Sequence, residues 1–197
     1  MKKYENIVSF IFEIGSLRKT IRAHQQPLLS FDLSDTIASH SFRVAIIGML
    51  IAQELKADTT KIIKMGLLHD LEEARSADHN WIHKHYVKVY DEEITNDQFK
   101  ILPNSNEFIQ LLKEYNERQT LESKIAKDAD LLEEIFLLRE YAWQGNKEAE
   151  IWLKSTNEDN EQQKRLFTVP AKRIAKETKK QAPSDWWKNI WSADRRS

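Results

Sequence analysis

The chain reads as an all-α single domain, and three observations point there. Only four Gly and four Pro occur in 197 residues, so turn punctuation is sparse and long helices are favoured over many short strands. Apolar residues recur at helical spacing, beginning with Ile7, Phe10, Ile11 and Ile14. No segment shows the apolar–polar alternation of a half-buried strand, and there is no repeat or low-complexity block. The length suits one core that needs no staples, so residues 1–197 are taken as one unit.

The segment 4–18 is expected to be the first helix. Its start, Met1-Lys2-Lys3, imitates a signal peptide, but Glu5 and Glu13 interrupt the apolar run and no small-residue cleavage site follows. A polar stretch from Arg22 through Pro27 runs irregularly to Ser34-Asp35, either of which can cap the next helix. That helix, about 36–56, is apolar nearly all round and is expected to be central. Asp58-Thr59-Thr60 offers a cap for the helix that ends in His69-Asp70. Residues 75–85 read as irregular and aromatic-rich. Helices follow at about 86–100, 104–118 (capped near Asn104) and 120–144, the last stopping at Gly145. A shorter one at 146–154 precedes the polar run 155–164, read as a mobile surface loop. The tail, about 165–197, is a helical extension with a helix near 168–180 and then Trp186, Trp187 and Trp191 on one face. Such a stripe most often docks a terminal helix onto the core, with a homodimer interface as its alternative use. Trp143 and Trp152 are assigned to packing.

Composition excludes several functions. Thirty basic and 31 acidic residues give a net charge of −1, which argues against a nucleic-acid polymer as partner, because phosphate-backbone binding normally leaves a basic face. A small phosphorylated ligand needs only one or two cations and stays open. With no cysteine, disulfides and thiolate zinc sites are impossible, and a reducing compartment is compatible. No apolar run approaches the roughly 20 residues that span a bilayer. A soluble, cytoplasmic protein without a membrane partner is expected.

The chemistry concentrates at His40, at the pair His69-Asp70 and at Lys127-Asp128-Ala129-Asp130. Imidazole and carboxylate are what a hydrolytic divalent-metal site needs, since they hold an ion while leaving a position open for water. The pair closes an otherwise apolar run, and buried charge is expensive unless paired or metal-bound. On a helix His69 and Asp70 sit about 100° apart and can grip one ion from neighbouring directions. Glu73 lies one turn further along the same face, positioned to orient a water or take its proton. Asp78 closes the following loop and can share that role. Periodicity does not choose between Asp128 and Asp130: the first edges the stripe Ile125, Ala129, Leu132 and Phe136, and the second falls with Ala126, Glu133, Leu137 and Tyr141.

These motifs, His40-Ser41-Phe42-Arg43-Val44-Ala45, then Gly66-Leu67-Leu68-His69-Asp70-Leu71-Glu72-Glu73-Ala74 with Asp78, then Lys127-Asp128-Ala129-Asp130, resemble those of the HD-domain metal-dependent phosphohydrolases. Within that superfamily they are similar to the 5′-deoxynucleotidase branch. The resemblance runs from about residue 17 to about residue 150. It implies a helical HD-domain bundle and one divalent ion (Mn, Co, Fe, Ni, Zn or Mg, which the sequence does not distinguish) held by His40, His69, Asp70 and Asp130. The family's Lys-x-x-Asp phrasing selects Asp130, with Asp128 as fallback. It also implies catalytic roles for Glu73 and Asp78, although Ala77 stands where the branch carries Gly.

Phosphate calls for a fixed cation, and Arg supplies a planar fork that suits its oxygens. Arg22 matches the branch's Arg, commonly found in Arg-x-Gly-Trp. Here Ala23-His24-Gln25 follows, so the aromatic residue expected beside the sugar is absent and His24 or Gln25 takes its place. Arg18 and Lys19 are backup cations. His79, His83 and Trp81 are read as loop residues whose functional use is nucleobase contact, a second metal at His79 and His83 being the weaker option. The expected activity is release of inorganic phosphate from (deoxy)ribonucleoside 5′-monophosphates. The alternatives are an HD hydrolase of nucleoside triphosphates, cyclic nucleotides or alarmones, and a non-catalytic metal-binding module.

Overall fold

The computed structural model describes residues 2–154 and 161–190. Helices α1 (Lys2–Ile14), α2 (Gln25–Leu28), α3 (Ile37–Leu55), α4 (Thr59–Leu68), α5 (Glu73–Ser76) and α6 (Trp81–Tyr86) form the first half. The second half holds α7 (Asp91–Phe99), α8 (Ser105–Glu117), α9 (Leu121–Trp143), α10 (Lys147–Lys154), α11 (Glu161–Lys164) and α12 (Val169–Thr178). Among the described residues the only extended pairing is one isolated bridge between Ile21 and Thr36. The all-α reading holds.

The organising helix is α9, which packs against α3, α4, α8, α10, α11 and α12. Thr120 caps its start by accepting from the Ser123 N–H at 3.1 Å. It ends at Trp143, with Gly145 at φ +93° turning the chain beyond it, a conformation in which glycine escapes the Cβ clash. Ile125, Ala129, Leu132 and Ile135 meet Val44, Ile47 and Ile51 of α3, together with Ile62 of α4, in the main core. A second cluster under α1 gathers Leu17, Ile37, Leu71, Phe99 and Leu112.

Several local expectations change in three dimensions. Neither Ser34 nor Asp35 caps α3. Thr36 does, in a reciprocal capping box with Ser39, because Asp35 is drawn inward to His24 and Tyr141. Asp58 caps α4 as expected. Asn104 occupies the cap position of α8 but in a left-handed conformation without a side-chain bond. The stretch 75–85 contains α6, whose start is fixed by Asn80 accepting from the Ile82 and His83 N–H groups. The all-round apolar α3 is not wholly enclosed: Phe42, Ile46 and Leu50 form one exposed stripe.

Trp143 is exposed at the end of α9, so it does not pack as expected. Trp152 does, its ring 4.9 Å from that of Trp81. After α12 the described chain makes a short 3-10 turn, Asp185–Trp187, with Trp186 72 % exposed and edge-on to Trp187. Trp191 and residues 155–160 of the expected loop lie outside the described residues.

Candidate metal centre

Helix α4 does not continue through the His-Asp pair. It ends at Leu68, and bonds from Leu71 N to Leu68 O (3.2 Å) and from Glu73 N to Asp70 O (3.2 Å) wind the next residues more tightly. The Leu71 carbonyl accepts from the Ala74 N–H at 3.1 Å within this turn and from the Gln98 side chain of α7 at 2.9 Å. The turn is positioned by close helix packing: a Cβ added at Gly66 would stand 3.0 Å from the Ala45 Cα, so glycine is what lets α4 approach α3 at this level. That approach sets His69 opposite His40.

The two Nε2 atoms are 3.3 Å apart. Asp70 Oδ2 lies 3.1 Å from His69 Nε2 and 3.4 Å from His40 Nε2. Asp130 Oδ1 lies 3.3 Å from His40 Nε2 and 3.8 Å from His69 Nε2. Donor atoms of His40, His69 and Asp130 all fall within 4.8 Å of one another, and Asp70 Oδ2 lies beside the two imidazoles. The imidazoles are almost fully buried while both carboxylates keep some exposure, so the histidines form the floor and the acids the rim.

The ring tautomers fit a cation. His69 Nδ1 donates to the Gly66 carbonyl at 3.0 Å, and His40 Nδ1 donates to Glu133 Oε2 at 2.6 Å. A carbonyl and a carboxylate only accept, so each neutral ring presents an Nε2 lone pair inward. Two lone pairs and two carboxylate oxygens converging in one place repel one another unless positive charge sits between them. Burial and the Arg22 guanidinium push the His40 imidazole down, but Asp130, Asp70 and Glu133 outweigh them and raise it to about 9, so the acids that suit a cation here equally favour a proton on Nε2, which an ion must displace. Burial likewise opposes the charged carboxyl of Asp70, yet His69 and His40 hold it well below the usual carboxylate range. His40, His69 and Asp130 thus form a group that could hold a metal ion.

Asp128 plays no part in it. Its carboxylate is fully buried and accepts from Phe167 N (2.7 Å), Thr168 N (2.8 Å) and Thr168 Oγ1 (2.6 Å), anchoring the chain at the start of α12. Asp130 is steadied by Tyr115 Oη (3.1 Å) and Lys127 Nζ (2.5 Å) on its other oxygen.

Arg22 lies beside this group. Its Nε is 3.4 Å from Asp78 Oδ2 and its Nη1 is 3.7 Å from Glu133 Oε2, and neither nitrogen has a hydrogen-bond partner although both are buried. Asp78 Oδ2 also accepts from the Ala23 N–H at 2.7 Å, tying the loop after α5 to the Arg22 segment. Glu73 stands near enough to both acids to feel them: burial, then Asp70 and Asp78, push its carboxyl up to about 10, and its buried Oε2 has no partner.

His24 and Gln25 are employed differently from the expectation. His24 Nε2 pairs with Asp35 Oδ2 at 2.8 Å, and Gln25 exchanges bonds of 2.7 and 2.8 Å with the Asp32 backbone. Both side chains are buried against the loop before α3. His79 and His83 contact each other edge-on, and no third metal-binding side chain joins them among the described residues.

Sequence reasoning assigned no role to Glu133, Arg43, Tyr115 or Glu72. Glu133 follows Asp130 by three residues and Arg43 follows His40 by three, so both share a face with a ligand, which was a legible signal. Tyr115 gave none, because α8 reaches the site only through packing. Burial and then Asp70 push Glu72 up to about 8. It shares with His69 a cavity of about 430 Å³ between α7 and α8, lined by Asp91, Glu92, Thr95, Lys113 and Glu117.

Comparison with known proteins agrees with this geometry. The family model described as "HD domain" matches residues 14–169. The chain is 31 % identical over 144 residues to "5′-deoxynucleotidase HDDC2" of Dictyostelium discoideum, covering 66 % of this chain and 75 % of that protein. A conserved hypothetical protein of Pyrococcus furiosus superposes with a TM-score of 0.73 at 28 % identity, covering 88 % of this chain and 99 % of that one. In fold alone the chain also resembles a predicted metal-dependent phosphohydrolase of Magnetospirillum magnetotacticum MS-1, with a TM-score of 0.67 at 22 % identity, over 91 % of this chain and 90 % of that one. With the family model spanning all three motifs and the ligand set assembled around them, the chain belongs to the HD-domain superfamily of metal-dependent phosphohydrolases.

Proposed function

We propose that this protein is a 5′-nucleotidase that releases inorganic phosphate from (deoxy)ribonucleoside 5′-monophosphates. The observation that carries this reading is the Arg22 guanidinium, two of whose buried nitrogens face Asp78 and Glu133 only at ion-pair distance and have no hydrogen-bond partner. Buried donors left unpaired are costly, and an incoming phosphate oxygen removes the cost. The similarity to a relative whose name is 5′-deoxynucleotidase supports the same substrate class.

His40, His69, Asp70 and Asp130 would hold a divalent ion, which would supply Lewis-acid polarisation of the phosphate and lower the pKa of a water. The protein's own groups do the rest. Arg22 neutralises the phosphate and fixes it, and Asp78 holds Arg22 and the Ala23 backbone in place. Glu73, whose carboxyl is pushed up by burial and then by Asp70 and Asp78, is suited to handle a proton of the attacking water or of the departing 5′-oxygen of the nucleoside. The cavity beside His69 carries Asp91, Glu92 and Glu117 against one Lys113, surroundings that repel further phosphates and favour a monophosphate over a triphosphate.

The test is a screen of nucleoside monophosphates, triphosphates, cyclic nucleotides and alarmones against several divalent ions after chelation. Inorganic phosphate as the sole phosphorus product from monophosphates, lost in Asp70→Ala with helicity retained, is the expected outcome. Release of pyrophosphate or triphosphate would move the protein to a different HD hydrolase activity. Tight metal binding without hydrolysis of any nucleotide would make it a binding module.

A further inference from the structure

Glu133 occupies a place that the phosphohydrolase reading does not require. It sits on α9, one turn after Asp130, and is 3 % exposed. One oxygen, Oε2, accepts from His40 Nδ1 at 2.6 Å and lies 3.7 Å from Arg22 Nη1. The other, Oε1, receives the fork of Arg43, with Nε at 3.1 Å and Nη2 at 2.7 Å. Arg43 is fixed in turn by Glu140 Oε1 at 2.6 Å. A single buried carboxylate thus reaches a metal ligand and the phosphate-facing cation together, while a bidentate Arg keeps it from turning.

We propose that Glu133 is a positioning residue with two arms. It orients His40 so that Nε2 faces the cation, and it holds the Arg22 guanidinium beside the same centre. Arg43, which touches neither ion nor phosphate, acts through it. The first arm needs only the ligand geometry; the second rests on the phosphohydrolase reading.

The physical reason is donor and acceptor count. His40 Nδ1 and the Arg43 fork donate to it, and Arg22 Nη1 brings a positive charge 3.7 Å away, so the group among them must both accept and be an anion. Glutamine keeps the shape but replaces one acceptor by an NH2 that faces donors whichever way the amide turns. One substitution therefore disturbs His40 and Arg22 at once.

Chelated protein is titrated with Mn2+ or Co2+ by calorimetry, and Glu133→Gln is expected to bind the ion about 10–100-fold more weakly, the range for lost support of a metal-bound imidazole. Arg43→Met is expected to lose about tenfold, and Arg43→Lys only a few-fold, because it keeps the charge but not the fork. In the reloaded enzyme, at saturating metal, Glu133→Gln should raise KM for a nucleoside monophosphate more than it lowers kcat, the mark of lost phosphate binding. A merely structural residue would lower thermal stability without changing the metal affinity of the protein that remains folded. Metal affinity within twofold of wild type in a folded Glu133→Gln protein overturns the proposal. If that variant does not fold, Arg43→Met at unchanged affinity overturns it equally. Should the wild type hydrolyse no nucleotide, the phosphohydrolase reading and the phosphate arm fall together, while the calorimetry still decides the His40 arm.

Discussion

Asp128 and Asp130 stand two residues apart on α9 and serve opposite faces of that helix. Asp128 gathers the Phe167 and Thr168 N–H groups and the Thr168 hydroxyl at the start of α12. Asp130 points at His40 and His69. Two residues turn a helix by about 200°, so the side chains leave on nearly opposite faces.

Their substitutions should therefore separate. Asp130→Ala is expected to abolish high-affinity binding of Mn2+ and, because it leaves Lys127 Nζ and Tyr115 Oη without their acceptor, to lower the thermal midpoint of the chelated protein as well. Asp128→Ala should leave metal binding intact and cost roughly 2–4 kcal/mol of unfolding free energy, from three lost buried bonds to a charged acceptor. Denaturant titration beside calorimetry checks both.

Sugar discrimination follows from how the segment after Arg22 is used. His24 and Gln25 are committed to Asp35 and Asp32, and Ala23 offers only a methyl group beside Asp78. Nothing bulky in this segment is free to exclude a 2′-hydroxyl, and a pocket that merely tolerates an added hydroxyl discriminates by no more than about 100-fold. Ribonucleoside and deoxyribonucleoside 5′-monophosphates are expected to differ in kcat/KM by less than that. A larger preference measured on matched pairs would show that another element reads the sugar.

The α3–α4 approach at Gly66 should be intolerant of a methyl group. Gly66→Ala places Cβ 3.0 Å from the Ala45 Cα and 3.2 Å from its N, and backbone atoms cannot move aside as a side-chain end can. A loss of roughly 1–3 kcal/mol is expected from overpacking. Because the Gly66 carbonyl holds His69 Nδ1, metal affinity should fall along with stability.

Asp35 should shape the acid limb of stability. Burial raises its carboxyl, but His24, Arg22 and Tyr141 outweigh that and leave it below the ordinary aspartate value of 3.8. A carboxyl lowered in the folded state stabilises the fold above its unfolded value, and that stability is lost as pH falls through the lowered value. Urea denaturation of Asp35→Asn against wild type should show the gap largest at neutral pH and closing below about pH 4. Tyr141→Phe, which removes the 3.0 Å bond to the same oxygen, should cost about 1 kcal/mol.

Helix periodicity and turn residues made the long elements readable. The extents of α3, α8, α9 and α12 follow from apolar spacing and from local stops such as Gly145, signals that act within a few residues. The ends were less legible where a competing partner lay far off in sequence. Asp35 looked like a cap until Tyr141, 106 residues away, claimed its carboxylate. Trp143 looked like core, yet exposure is decided by which face of α9 finds neighbours, and at its last turn the described residues leave that ring mostly exposed.

Residue type and order alone named His40, His69 and Asp70, because a His-Asp pair closing an apolar helix is chemically out of place without an ion. The choice of Asp130 over Asp128 was beyond periodicity, since both faces of α9 are buried. Tertiary packing decided it, by setting α12 against one face and the two histidines against the other. The employment of Glu133, Arg43 and Tyr115 was settled in the same way. A side chain's chemistry is written in its own position, but its partner is fixed only when helices distant in sequence come within hydrogen-bonding reach.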